Sequence, residues 1–370
     1  MPKSGRKYNM RKRWRNFKHK IASSRSASNS NADTMPQCAR SGHACCAIDD
    51  HRMIIVGGYD ATGKRLANGV IYNARTERWK PLPNDMPSAL YGSTAVATAR
   101  YMYVIGGLSG VEIVNTVYRL SLTSYKWKTL SMAPMRTARF GHASVRKGSY
   151  IYVFGGLNGG RLASAERYSI VDDAWEILLD MAEARVGHCA VTAVTGNYIY
   201  IVGGYRVARS LVVFDTVSLR WIYMNAPEVN LRNMPCVLDF AAAVMIYDRY
   251  LVVIGGEDEE GHVVSSCLIY NCVVNSWTSA PVSMNINAAR SYHISSVLDG
   301  KIVVAGGIGT DEHRLSSVEF IGACDLLEYA APLTFPLPTL YFNHILYFVK
   351  ANDGGAHDND GNTATCTLER

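Results

Sequence analysis

A pair of adjacent glycines recurs six times along the chain, and it constrains the fold more than any other feature. Each pair follows a run rich in valine, isoleucine and tyrosine, such as YIYVF before Gly155, which predicts a β-strand. Successive pairs are 49, 49, 48, 52 and 51 residues apart, so the sequence predicts six similar β units. The pairs are Gly57-Gly58, Gly106-Gly107, Gly155-Gly156, Gly203-Gly204, Gly255-Gly256 and Gly306-Gly307.

Tryptophan follows the same period. Five of the six tryptophans occupy one repeat position: Trp79, Trp127, Trp175, Trp221 and Trp277. The residue seven positions earlier is aromatic in four units (Tyr72, Tyr168, Phe214 and Tyr270) and Leu120 in the second. In the sixth unit we expect Phe320 at the aromatic position, with Leu327 in place of the tryptophan. Four units also open on an arginine followed three residues later by a histidine: Arg40 and His43, Arg139 and His142, Arg185 and His188, Arg290 and His293.

With these three features in phase, residues 37–330 resemble the kelch repeat. The resemblance implies an all-β fold, a six-bladed β-propeller with one four-stranded blade per repeat. The third unit shows four extended segments, at about 141–147, 150–155, 163–169 and 174–179. A single blade leaves a hydrophobic face uncovered, so the blades must stack in a ring. Small residues such as ACCA after His43 suit the innermost strand.

The glycine pairs are interpreted as structural. A phosphate-binding loop needs a following Lys-Ser/Thr or a helix N-terminus, and a strand follows Gly155-Gly156 instead. Glycine at a strand end allows positive φ and close approach between blades.

The two ends of the chain are assigned separately. Residues 1–36 hold ten Lys or Arg and one acid, so this arm carries +9 and the remaining chain −2. We expect a disordered arm. Nuclear localisation, contact with RNA or an anionic membrane, a calmodulin-like target and an organelle transit peptide stay open. Residues 331–355 are either a closing strand or a degenerate seventh repeat, which leaves seven blades as the alternative, and 356–370 is expected to be disordered.

Cysteine usage and hydropathy bear on the compartment. The nine cysteines form no CxxC pair, and we interpret them as reduced thiols of a cytoplasmic or nuclear protein. No apolar run reaches the roughly 18 residues that span a bilayer.

The sequence favours binding over catalysis. Some kelch propellers are copper oxidases or epimerases, and an enzyme of that kind stays the alternative. No nucleophile motif or set of copper ligands stands out, so we expect no catalytic residue, metal or cofactor. The histidines share one repeat register, which indicates a scaffold role. The acidic run Glu257–Glu260 is interpreted as a solvated loop tip.

Strand order predicts where a partner binds. With strands A to D counted outward, the B–C and D–A loops share one face. The kelch resemblance implies that this face grips protein partners, including acidic peptides, in a ubiquitin-ligase-associated or cytoskeletal adaptor. Carried over by position, the expected contacts are Arg40, Ser41, Tyr59, Arg139, Arg185, Tyr205, Arg290 and Ser291. The strand order adds Arg206, which follows a glycine pair. Repeats two and five lack the arginine.

Overall fold

The computed structural model describes residues 39–128, 132–205, 207, 209–222 and 233–330. The basic arm, Arg206, segment 331–355 and the tail 356–370 lie outside these ranges, so the expectations for them stay predictions. Strands dominate the described chain, with a short 3₁₀ helix at Val282–Met284 and one α-helix, α1, at Ala323–Ala330.

In chain order the strands are β1 (Arg40–Ser41), β2 (Ala44–Ala47), β3 (Arg52–Val56), β4 (Tyr59–Asp60), β5 (Gly69–Asn73), β6 (Arg78–Pro81), β7 (Thr94–Ala97), β8 (Tyr101–Ser109), β9 (Glu112–Ser121), β10 (Ala143–Lys147), β11 (Tyr150–Phe154), β12 (Leu157–Asn158), β13 (Gly160–Arg161), β14 (Ala165–Ser169), β15 (Ala174–Leu178), β16 (Cys189–Thr192), β17 (Tyr198–Val202), β18 (Leu211–Asp215), β19 (Arg220–Ile222), β20 (Ala242–Ile246), β21 (Tyr250–Ile254), β22 (Cys267–Asn271), β23 (Ser276–Ser279), β24 (Ile294–Leu298), β25 (Lys301–Ala305) and β26 (Val318–Gly322).

These strands build six antiparallel blades, which confirms the predicted six-bladed propeller. Blades one, three, four and five have four strands each: β2-β3-β5-β6, β10-β11-β14-β15, β16-β17-β18-β19 and β20-β21-β22-β23. Blade two has β7-β8-β9, and a bridge from Leu120 to Trp127 extends it outward. Blade six has β24-β25-β26, and α1 follows its last strand. Between neighbouring blades lie layers of apolar side chains.

A closed circle of backbone hydrogen bonds joins the six blades around the axis. Its members are the residues that precede the innermost strands, and each N–H donates to the carbonyl of the blade before it at 2.8–3.0 Å. The circle closes between blade six and blade one, where Gly42 N–H donates to Tyr292 O at 3.0 Å. All six members have positive φ: Gly42, Gly92, Gly141, Gly187, Phe240 and Tyr292.

The glycine pairs form a second set of links between blades. The N–H of the second glycine donates to a carbonyl of the next blade; for Gly156 the acceptor is Arg185 O at 2.7 Å. The first glycine has positive φ and lies against that blade. A Cβ placed on Gly155, at φ 58°, would meet Arg185 O at 2.6 Å and His188 Cε1 at 2.8 Å. The structural interpretation of the glycines is therefore supported by their contacts.

We expect Gly155→Ala to lose about 1–3 kcal/mol more stability than Gly148→Ala, because only the former overpacks a blade contact. The control is matched in conformation: Gly148 has φ 59° and nothing within 4 Å of its added Cβ. Urea unfolding of both variants measures the difference. Equal losses would show that conformation alone, and not crowding, requires glycine at position 155.

The tryptophans lie opposite their aromatic neighbours across strands C and D, as at Tyr168 and Trp175. In blades three and four the indole also donates to the loop before its own blade, from Trp175 to Ala133 O at 2.8 Å and from Trp221 to Leu179 O at 2.9 Å. In blade six the expected register is wrong by one residue. Ile321, which pairs with Ile302, occupies the aromatic position, and Phe320 points to the other side of the sheet.

Candidate functional site

The up-and-down strand order places the B–C and D–A loops at one end of the propeller, which we call the loop face. The A–B and C–D turns lie at the other end, which we call the turn face. The sequence predicted a partner site on the loop face, so its side chains decide what this end can bind.

The four repeated arginines do not project from the loop face, and this corrects their expected exposure. Arg139 and Arg290 are 0% exposed, and Arg40 and Arg185 are 1% exposed. All four donate hydrogen bonds within their own blade. Arg139 Nη1 donates to Gly155 O at 2.7 Å and to Ser164 O at 3.0 Å. The equivalent bonds of Arg40, Arg185 and Arg290 reach Gly57 O, Gly203 O and Gly306 O. These arginines therefore hold the glycine pair to strand C.

Arg139 and Arg290 also form close ion pairs. Arg139 Nη2 lies 2.6 Å from Glu166 Oε1, with both side chains buried. Arg290 pairs with Glu319 in the same way in blade six. Arg185 has the more distant Glu183 at 3.6 Å, and burial lowers the pKa of Arg185 to about 10. The serines expected beside the arginines, Ser41 and Ser291, are 0% exposed as well, which also corrects their expected exposure.

The four repeated histidines are buried next to the arginines. Each ring lies against the first glycine of the preceding blade's pair; a Cβ on Gly155 would touch His188. Burial and the guanidinium of the neighbouring arginine lower the pKa of all four imidazoles, to about 3 for His188 and for His293. His142 shares a 2.8 Å hydrogen bond with Thr94. The four histidines also line a small axial cavity of about 120 Å³. Neutral, packed imidazoles agree with the scaffold role expected for them.

Beside the axis, the loop face has a larger cavity of about 210 Å³ between blades one, two and three. One wall is the hairpin that joins β8 to β9, whose tip residue Val111 is 85% exposed. Besides Val111, the cavity is lined by one guanidinium and by apolar residues: Arg65, Leu108, Gly110, Ile113, Phe140 and Leu157. The sequence analysis did not identify this hairpin, although Ser109-Gly110 between two β-rich runs is a hairpin signal.

Tyr59, one of the predicted contact residues, lies near this cavity between two arginines. Arg65 Nε donates to the Tyr59 hydroxyl at 2.7 Å, and Arg314 Nε donates to Ser41 Oγ at 3.1 Å. Both guanidinium carbons lie 5.4–5.5 Å from the centre of the Tyr59 ring. The structure thus brings Tyr59 together with Arg65, and it adds Arg314, which the sequence analysis did not single out.

Tyr205, the other predicted tyrosine, is half-buried at the end of blade four's B strand. Its carbonyl accepts a 2.8 Å hydrogen bond from Arg161, whose side chain is exposed. Arg161 thereby spans the gap between the loops of blades three and four.

Exposed charges are distributed unevenly over the loop face. Lys64, Arg65 and Arg161 lie on blades one and three. Glu259 and Glu260 of blade five and Asp311 and Glu312 of blade six are exposed on the other side. Within the acidic run, Glu257 is buried and accepts a 3.0 Å hydrogen bond from Ser291, so the expected solvated tip begins only at Asp258.

Among the described residues, one group of potential metal ligands lies close together: Asp258, Glu260 and His262, with ligand atoms within 4.8 Å of one another. Glu260 and His262 are exposed, and the N–H groups of both donate to Asp258, as in an ordinary loop. In the same part of the chain no helix is long and apolar enough to cross a membrane.

Comparison with known proteins supports the fold and a role in binding. A family model described as the KLHDC2/KLHL20/DRC7 Kelch-repeats domain matches residues 15–204 and 179–323. Kelch-like protein 38 from Rattus norvegicus is 28% identical over 265 residues, which are 69% of this chain and 42% of that protein. Alpha-scruin from Limulus polyphemus is 24% identical over 187 residues, 48% of this chain and 20% of that protein.

A third relative carries a second named domain. The F-box/kelch-repeat protein At1g30090 from Arabidopsis thaliana is 26% identical over 154 residues, 41% of this chain and 37% of that protein. The chain thus spans less than half of the length of each of these relatives.

Proposed function

Because this chain belongs to the kelch-repeat family, we propose that it is a non-catalytic adaptor that binds another protein on its loop face. Kelch-repeat relatives support an interaction role in general. The finer proposal concerns which part of the face is used and which chemistry it recognises.

The observation that carries the proposal is the cavity beside the β8–β9 hairpin. Its walls are apolar and its rim holds Arg65, so it suits an apolar side chain next to a carboxylate. Interface hot spots combine such a pocket with aromatic and arginine side chains, and Tyr59 and Arg161 lie on the same half of the face.

The distribution of charges on the loop face further restricts the class of partner that can bind. Carboxylates are attracted to Lys64, Arg65 and Arg161 and repelled by the acidic loops of blades five and six. We therefore propose that the ligand is an acidic peptide segment that binds over blades one to four. The buried arginines are not among its contacts.

Partner capture tests this proposal. Arg65→Glu with Arg161→Glu is expected to weaken binding at least roughly tenfold, because each reversal removes a charge-assisted contact and adds a repulsive one. The immobilised full chain and the variant are compared by quantitative mass spectrometry of bound proteins from the source cells. The selected partners are then titrated individually.

The matched control is Arg78→Glu with Arg220→Glu. Both arginines are exposed, and each begins the outer strand of its blade, away from the loop face. The proposal fails if both double variants retain the same partners with unchanged affinity.

The identity of the partners separates two forms of the proposal. One relative is named for an F-box as well as kelch repeats, and another is a scruin. Recovery of ubiquitin-ligase subunits together with a substrate favours a ligase adaptor, whereas recovery of filament proteins favours a cytoskeletal scaffold.

We also propose a reducing compartment, the cytoplasm or nucleus. Seven cysteines of the described chain are free. Burial raises the pKa of Cys189 and of Cys267 to about 12, which keeps both as unreactive thiols.

A further inference from the structure

The turn face carries a row of exposed valines on three consecutive blades. The turn between strands C and D has the same four-residue form in blades one to five, with its last residue at φ 50–56°. Its second residue is Val171 in blade three, Val217 in blade four and Val273 in blade five, and these side chains are 79%, 71% and 69% exposed. We call these three residues the valine row.

The fold does not require valine at this position. The same turn residue is Arg75 in blade one and Thr123 in blade two, and both are exposed. A β-branched apolar residue gains nothing from an exposed turn, where Gly, Asn, Asp and Ser are the usual choices. Three valines on adjacent blades therefore indicate a surface that is covered by something else.

Further apolar side chains extend the row. Val194, in the A–B turn of blade four, is 79% exposed, and Val274 and Tyr247 of blade five are also exposed. Val194 is held rigidly: Lys147 of blade three donates to its carbonyl at 2.7 Å, and its N–H donates to Asp248 of blade five at 2.6 Å. Rigid, preformed apolar surface loses little conformational entropy when it is covered.

We propose that the valine row is the interface between two copies of this chain. The charges that flank it are complementary under a two-fold axis along blade four. Such an axis brings Lys147 of one copy to Asp248 of the second copy, twice, and places the two copies of Val217 together. The acidic pair Asp172 and Asp173 meets the uncharged turn of blade five. A C2 interface needs this self-complementarity.

Sedimentation equilibrium of the full chain tests the inference. The unmodified chain is expected to dimerise, and Val217→Arg is expected to weaken the dimer roughly 100-fold, because the two introduced charges meet at the axis. The turn accepts arginine, as Arg75 shows in blade one. The matched control is Thr123→Arg, the same change at the same turn position outside the row, which leaves dimerisation unchanged.

A second variant introduces no charge. Val171→Thr with Val273→Thr copies the residue of blade two and is expected to weaken the dimer while the circular dichroism spectrum stays the same. A chain that is monomeric at about 100 μM, a Val217→Arg variant that dimerises like the parent, or equal loss in both arginine variants overturns the inference. If the chain is monomeric and Val217→Arg instead releases a different bound protein, the row serves that partner and not a second copy.

Discussion

Lowering the pH from 7 to 5 is expected to destabilise the propeller by about 4 kcal/mol through two histidines alone. Burial and the adjacent arginine lower the pKa to about 3 in His188 and in His293, against 6.5 for an ordinary imidazole. Between these values only the unfolded chain takes up the proton, so stability falls as the pH falls below about 6.5. Each histidine contributes about 1.4 kcal/mol per pH unit in this window.

The pKa values of His43 and His142 are lowered as well, which makes the fall in stability with falling pH steeper. Urea unfolding at pH 7, 6 and 5 measures the slope. His188→Ser, which copies Ser93 of blade two, is expected to reduce the slope by about 1.4 kcal/mol per pH unit. His262→Ser is the control for the replacement of a histidine by serine, because this side chain is 77% exposed. A His188→Ser slope equal to that of the parent would contradict the assignment.

Replacing Arg139 by leucine is expected to cost about 3–5 kcal/mol of stability, because Glu166 then keeps a buried charge without its cation. The change also leaves Gly155 O and Ser164 O without their guanidinium donor. Leucine fits this position by size, since Leu90 and Leu238 occupy it in blades two and five and are buried. Urea unfolding at pH 7 measures the loss.

Two further variants separate charge from packing. Adding Glu166→Leu to Arg139→Leu copies blade five, where Leu268 has the register of Glu166, and is expected to recover part of the loss. Arg146→Leu is the control: this arginine is exposed on the same blade and its replacement is expected to cost less than about 0.5 kcal/mol. A loss below about 1 kcal/mol for Arg139→Leu would mean that the pair contributes little.

The architecture was predictable because its signals repeat. One glycine pair is ambiguous, but six in phase with tryptophan leave few folds, and the segments expected in blade three agree with β10, β11, β14 and β15. The register of blade six was not predictable in the same way. Blade six has no tryptophan at the repeat position from which the aromatic position could be counted. Phe320 lies one residue from Ile321, which occupies the aromatic position.

The candidate site was only partly predictable. The strand order correctly placed the B–C and D–A loops at one end of the propeller. An arginine in the sequence, however, does not show whether its guanidinium contacts solvent or carbonyl groups. The shared repeat register of the histidines indicated a scaffold role, and the histidines and the arginines both proved buried. The hairpin cavity depends on how blades one, two and three pack, which no single repeat encodes.

The circle of hydrogen bonds around the axis leaves none of the six described blades at an end. A linear solenoid frays from its ends, one repeat after another, because each end has a single neighbour. Here every blade has two neighbours, and detaching one of them interrupts the circle for all. We therefore expect the six blades to unfold as one cooperative unit. A substitution that disrupts one blade also weakens the contacts of the blade on each side of it.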